Sequence, residues 1–166
     1  MKPAQIDEKI TLAGQLLRRW GGALRADSLI SARLKELAAK IEASAGASVG
    51  SGVALECGRC EKEDGGSCCG AGIEDRYTPE LLVINLLLGV TLPEPPNLPE
   101  SCYFLGEGGC ILRARDIICV NYLCLRLQKT ISPEKLARLQ EANGSELEVL
   151  FLLHDRIRNF IRQRSQ

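Results

Sequence analysis

Apolar side chains recur near helical period at Ile6, Ile10, Ala13, Leu17 and Trp20, behind a proline suited to a first turn. The pattern predicts a helix over 3–19, ended by Gly21 and Gly22. Asp27 or Ser28 is placed to cap a second helix that buries Ile30, Leu34, Leu37 and Ile41, giving an antiparallel hairpin. The stretch ASAGASVGSG at 43–52 holds small residues without periodicity and reads as a flexible connector. Further on, Thr78, Pro79 and Glu80 supply a cap, a first-turn proline and an early carboxylate. The Leu-rich helix they open should stop at Gly89 and, being apolar nearly all round, should be buried.

Four prolines between 93 and 99 exclude regular structure there. The segment CYFLGEGGCIL, beginning at Cys102, has short apolar runs on either side of Gly106, Glu107, Gly108 and Gly109, and predicts a small hairpin. From Asp116 to Gln128 the pattern is helical. Ser132, Pro133 and Glu134 begin another helix, which Asn143 and Gly144 should interrupt. Ser145 with Glu148 makes a capping box for a last helix reaching about Arg164. Its apolar face would carry Leu147, Leu150, Phe151, His154, Ile157 and Ile161. The expected fold is mainly α, with cysteine-rich, metal-organised loops and at most a small β-hairpin. Three regions share one core: a helical hairpin at 1–45, a cysteine-cluster region at 53–128 and carboxy-terminal helices at 129–166.

Composition narrows the function classes. The 166 residues are 45% hydrophobic, enough for one core and not for two full domains. With 21 basic and 21 acidic residues, no overall field draws the chain to nucleic acid or to an anionic membrane. The basic residues Arg156, Arg158, Arg162 and Arg164 complement the dipole of the last helix, and aromatics at 4% leave few rings for base stacking. The longest apolar run, at 81–90, is about half of what a spanning helix needs. Scattered charges at the amino terminus read as mature sequence, so the expected location is cytoplasmic and reducing. No nucleotide, zinc-protease or serine-hydrolase motif occurs, and no acid, base or nucleophile constellation marks an enzyme.

The cysteines carry the chemistry. All eight fall between 57 and 124, spaced C-x2-C-x7-C-C, then C-x7-C-x8-C-x4-C after a long gap. Thiolates bind zinc and iron–sulfur clusters because soft sulfur donates charge to soft or borderline metals, and four complete a tetrahedral shell. Candidate ligands are Cys57, Cys60, Cys68, Cys69, Cys102, Cys110, Cys119 and Cys124. Adjacent alpha carbons lie about 3.8 Å apart, inside the roughly 4.4 Å lower bound for a disulfide, so Cys68 and Cys69 do not pair with each other. In extended chain their side chains would face opposite ways and serve different centres; only a tight turn, allowed by the neighbouring glycines, would bring both to one metal. Cys119 and Cys124 would be about 140° apart on an unbroken helix and can share a centre only if it breaks or starts between them.

Buried free thiols, a disulfide network and a thioredoxin-like redox pair are the competing readings. Against the last, Cys57 and Cys60 follow a glycine-rich stretch rather than a strand. The lone histidine, His154, sits on an apolar stripe and reads first as a packed or hydrogen-bonded core residue.

The pair C57-x2-C60, the Cys68–Cys69 doublet, the helix TPELLVINLLLG and the block CYFLGEGGCILRARDIICVNYLC resemble the YkgJ-type family of zinc- or iron-chelating proteins. Arg115, four residues before Cys119, matches a family arginine. Seven residues rather than two or three precede the doublet, Asp116 stands where the family has proline, Arg113 stands near its tyrosine, and one residue is missing between Cys110 and Cys119. The resemblance implies metal or cluster binding through these cysteines, with Arg115 beside the cofactor; an ion pair between Arg115 and Asp116 or another acid is the alternative. A similar block occurs in flagellin lysine-N-methylases, implying association with a modifying enzyme. The expected function is to hold zinc or an iron–sulfur centre for electron transfer or in support of a partner protein. The alternative is a zinc-stabilised interaction module with no redox or catalytic role.

Overall fold

Asp27 sets the first corner of the chain. Its extended backbone interrupts the helix, and its carboxylate accepts from the amides of Leu29 and Ile30 at 3.1 and 3.0 Å, capping the next helix. The computed structural model describes residues 5–63, 68–94, 96, 98 and 100–164. Within them the chain is mainly helical, with one small antiparallel hairpin. Helix α1 (Ile6–Ala26) runs through Gly21 and Gly22 instead of stopping there. Continuing to Ala26 brings Leu24 into the core, fully enclosed, which offsets the helix cost of about 1 kcal/mol per glycine.

Helix α2 (Ser28–Ser51) also outruns its expected end. The stretch at 43–52 is not a connector: its small side chains let α2 lie along α7 (Pro133–Arg164), and Ser44 is buried in that seam. Gly52 ends α2 in a left-handed conformation, φ 90°, where a side chain would be strained. Helix α3 (Val53–Glu63) follows at once, so Cys57 and Cys60 lie on a helix rather than in a loop.

Helix α4 (Pro79–Leu87) begins as the sequence predicts: Thr78 accepts from the Leu81 amide at 3.2 Å, with Pro79 in the first turn. Leu81, Leu82, Val83, Ile84 and Asn85 are all buried, so every face is covered, and Gly89 (φ 86°) turns the chain away. Of the four prolines expected to stiffen the next segment, Pro95 and Pro99 lie outside the described residues, as do Gly65 and Gly66 before the cysteine doublet; Pro93 and Pro96 are described and irregular. Strands β1 (Leu105–Gly106) and β2 (Gly109–Cys110) form the expected hairpin, Leu105 opposite Cys110.

Helix α5 (Ile117–Asn121) is capped by Asp116, which accepts from Ile118 N at 3.0 Å. The helix breaks at Tyr122, and Cys124 stands at the amino-terminal cap of α6 (Leu125–Thr130). By contrast α7 is continuous through Asn143 and Gly144, so the expected interruption and capping box are absent from it. Asn143 is buried and donates to the Val120 carbonyl at 2.8 Å, so its side chain does not compete for its own backbone. The buried face of α7 runs through Leu139, Asn143, Glu146, Val149, Leu150, Leu153, Ile157, Phe160 and Ile161; it keeps Leu150, Ile157 and Ile161 of the expected stripe, while Phe151 is 70% exposed.

Two apolar clusters result. The larger joins α1, α2, α4, the hairpin and α7; the smaller gathers Val53, Leu127, Ile131, Leu136 and Leu139 around the start of α3 and the length of α6. Among the described residues no helix is long and apolar enough to cross a membrane.

Candidate metal centre

Asn85 builds the floor on which the second cysteine group rests. Its amide donates to the carbonyls of Leu81 and Ala114 at 3.0 and 2.8 Å, and its oxygen accepts from the amides of Arg113 and Ala114 at 2.9 and 3.0 Å. Every hydrogen-bonding site of the side chain is used inside the core. The loop before Arg115 is thereby pinned to α4. Arg113 also reaches Glu42 at 3.1 Å and the Leu88 carbonyl at 3.4 Å.

All eight cysteines are thiols. Cys57 and Cys60 are three residues apart on α3 and share a face. Glu56 ties that helix to α6 by an ion pair with Arg126 at 3.5 Å and pairs with Arg59 on its own helix at 3.2 Å. Arg126 is two residues from Cys124, and Cys124 packs against the smaller cluster that includes Val53.

The second group is organised by Tyr77 and Phe104, whose rings meet edge to face with centroids 5.1 Å apart. The Tyr77 hydroxyl points at the Cys119 sulfur, 3.8 Å away, and accepts from the Asp116 amide at 3.2 Å. Cys102 donates its amide to the Cys69 carbonyl at 2.7 Å, and Gly70 bridges Ser101. Cys102 is buried and caps the turn into the hairpin through Leu105 N, while Cys110 lies on β2.

Burial raises the thiol pKa of Cys57, Cys68, Cys69, Cys110 and Cys119, and pushes Cys102 up to about 11. Mutual repulsion adds to this: Cys68 and Cys124 act on Cys57, Cys119 acts on Cys69, and Cys110 and Cys69 act on Cys102. Arg115 works the other way, easing ionisation of Cys69, Cys110 and Cys119. Arg115 therefore stands by the sulfurs, whereas Asp116 pairs with Arg76 at 2.8 Å.

Among the described residues no three His, Cys, Asp or Glu side chains already stand in position to hold one ion. In donor type alone, thiols suit a soft or borderline metal, and the charge of Arg115 eases ionisation of Cys69, Cys110 and Cys119. His154 is elsewhere, sharing a 2.9 Å hydrogen bond with Thr78 at the start of α4, and burial lowers its pKa.

Sequence reasoning missed Glu146. It is fully enclosed, one oxygen accepts from Ser44 Oγ, and the other has no hydrogen-bond partner. Burial raises its pKa, while Ser44 and the charge of Arg115 oppose the rise. No family, curated protein or solved structure matches this chain.

Proposed function

We propose that this protein binds a thiolate-ligated metal, zinc or an iron–sulfur cluster, through its clustered cysteines, as the resemblance to the YkgJ-type family implies. The observation that carries the reading is that four cysteines lie about one hairpin: Cys102 N donates to Cys69 O at 2.7 Å, Cys110 stands opposite Leu105, and the Tyr77 hydroxyl lies 3.8 Å from the Cys119 sulfur.

When bound, the metal supplies a charge centre that holds the sulfurs together. The chain's own part is separate. Each ligating thiol must give up its proton, so uptake of metal releases protons to solvent. Arg115 offsets the resulting negative charge on Cys69, Cys110 and Cys119, and the Tyr77 hydroxyl supports Cys119. Support for a protein partner comes from the apolar residues Ile117, Tyr122 and Leu125, which flank Cys119 and Cys124 and are more than half exposed.

The test is reconstitution under nitrogen of metal-free, fully reduced protein with zinc, and separately with ferrous iron and sulfide. Stoichiometric uptake, accompanied by loss of thiols reactive to a colorimetric reagent, supports the reading. Protein that takes up neither and keeps every thiol reactive overturns it.

A further inference from the structure

We propose that Cys69 and Cys102 are a redox pair, which closes into a disulfide by exchange with a small-molecule disulfide and reopens with excess thiol. The pairing stands apart from the metal-binding reading, because it needs two facing residues and no ion. Where that reading also holds, closing the pair withholds two of the candidate ligands.

Backbone register places the two residues. Gly70 and Ser101 are paired in an isolated antiparallel bridge. One step along that register Cys69 stands directly opposite Cys102, and the Cys102 amide donates to the Cys69 carbonyl at 2.7 Å. Residues opposite each other in a hydrogen-bonded antiparallel pair have alpha carbons about 5.5 Å apart and side chains on one face. That separation lies within the span of roughly 4.4 to 6.8 Å found in disulfides. The beta carbons of such a pair are about 4.5 to 5.5 Å apart, against about 3.5 to 4.5 Å in a disulfide. The bond therefore closes with strain and is readily reduced.

The other cysteines are less well placed for a bridge. Cys68 adjoins Cys69, and consecutive side chains of extended backbone point to opposite faces. Cys57 and Cys60, three apart on α3, hold their beta carbons about 5 to 6 Å apart unless the helix unwinds. Cys110 stands opposite Leu105 rather than Cys102, and the Cys119 sulfur meets the Tyr77 hydroxyl at 3.8 Å.

Cys69 is half-buried and Cys102 buried, so Cys69 meets the oxidant first. Its sulfur, deprotonated, attacks one sulfur of the small-molecule disulfide; that S–S bond breaks, a mixed disulfide forms on Cys69, and one small thiol leaves with the proton. The deprotonated Cys102 sulfur then attacks the Cys69 sulfur, forming the intramolecular bond and expelling the second small thiol. Two electrons pass from the pair to the small molecule. Burial raises the pKa of both thiols, which slows the exchange and leaves the register unchanged.

The reduced full chain, with a chelator present, is incubated anaerobically with oxidised glutathione; free thiols are then alkylated and disulfides located by peptide mass spectrometry. Two of the eight thiols should be lost to one bond between the segments carrying Cys69 and Cys102, and both should return with excess reduced glutathione. Cys68 and Cys110 are each close in sequence to a member of the pair, so Cys68→Ser and Cys110→Ser should keep the bond while Cys69→Ser abolishes it. Circular dichroism checks that each variant folds. The pair is overturned by a first bond that joins other cysteines, by one that persists in Cys69→Ser or is lost in folded Cys68→Ser, by glutathione attached without an intramolecular bond, or by eight unchanged thiols. None of these results touches metal uptake by the reduced chain, which the reconstitution above decides.

Discussion

Asn85 is the only polar residue in LLVINLLLG, and that placement was its one signal in the sequence. An amide inside a fully buried helix must find partners, and here it satisfies four backbone sites at once. Asn85→Ala strands those groups and is expected to cost about 3 kcal/mol or more, read as a lowered denaturant midpoint. Glu146 left no comparable signal, because an isolated glutamate in a helical pattern reads as surface. Its raised folded-state pKa means that it contributes stability fully below its unfolded pKa of about 4.3 and that this is lost as pH rises through the folded value. Glu146→Gln keeps a partner for Ser44 and removes the charge, so it should be more stable than the parent at neutral pH, with the advantage vanishing in acid. A variant less stable at neutral pH would mean that the ionised carboxylate is held by Arg115. Asp27 has the opposite sign: its cap bonds to Ile30 and its pair with Arg156 at 2.7 Å lower its pKa, so its contribution is present above the unfolded value and lost in acid. Asp27→Ala should cost about 1 kcal/mol at neutral pH, less below pH 3.

At the scale of elements, what was legible followed from local chemistry. Thr78 and Pro79 opened α4 as read, Asp27 capped α2, and the glycines at 106–109 made the hairpin. Where the reading failed, at Gly21–Gly22, at 43–52 and at Asn143–Gly144, local breakers were overruled by packing between helices. Ser44 and Asn143 each face a partner on another element, Glu146 on α7 and Val120 on α5, that a window of sequence does not contain. Glycine substitutions separate the two pictures. Space around Gly144 is open and its backbone is helical, so Gly144→Ala should stabilise by about 1 kcal/mol in thermal unfolding. Were α7 broken there with a left-handed glycine, the same change would destabilise. Gly52→Ala, at φ 90°, is expected to destabilise.

For the whole molecule, the spacing of the cysteines raised the expectation of metal ligation and left the grouping of the thiols open. Where the thiols lie is set by the break at Tyr122, by α3 being a helix and by the backbone hydrogen bond from Cys102 to Cys69, none of which the spacing encodes. Metal bound in the folded state alone stabilises that state, and a structural thiolate site is worth on the order of 10 kcal/mol. The elements carrying the thiols, α3, α5, α6 and the hairpin, are short and should depend on that contribution more than α1, α2 and α7 do. The most direct measurement is anaerobic purification with elemental analysis for zinc, iron and labile sulfide per chain, together with the melting temperature before and after metal removal. Stoichiometric metal and a lower melting temperature on its removal are the expected result. Protein isolated without metal, with all eight thiols titratable and a melting temperature unchanged by added zinc or by iron and sulfide, would contradict it.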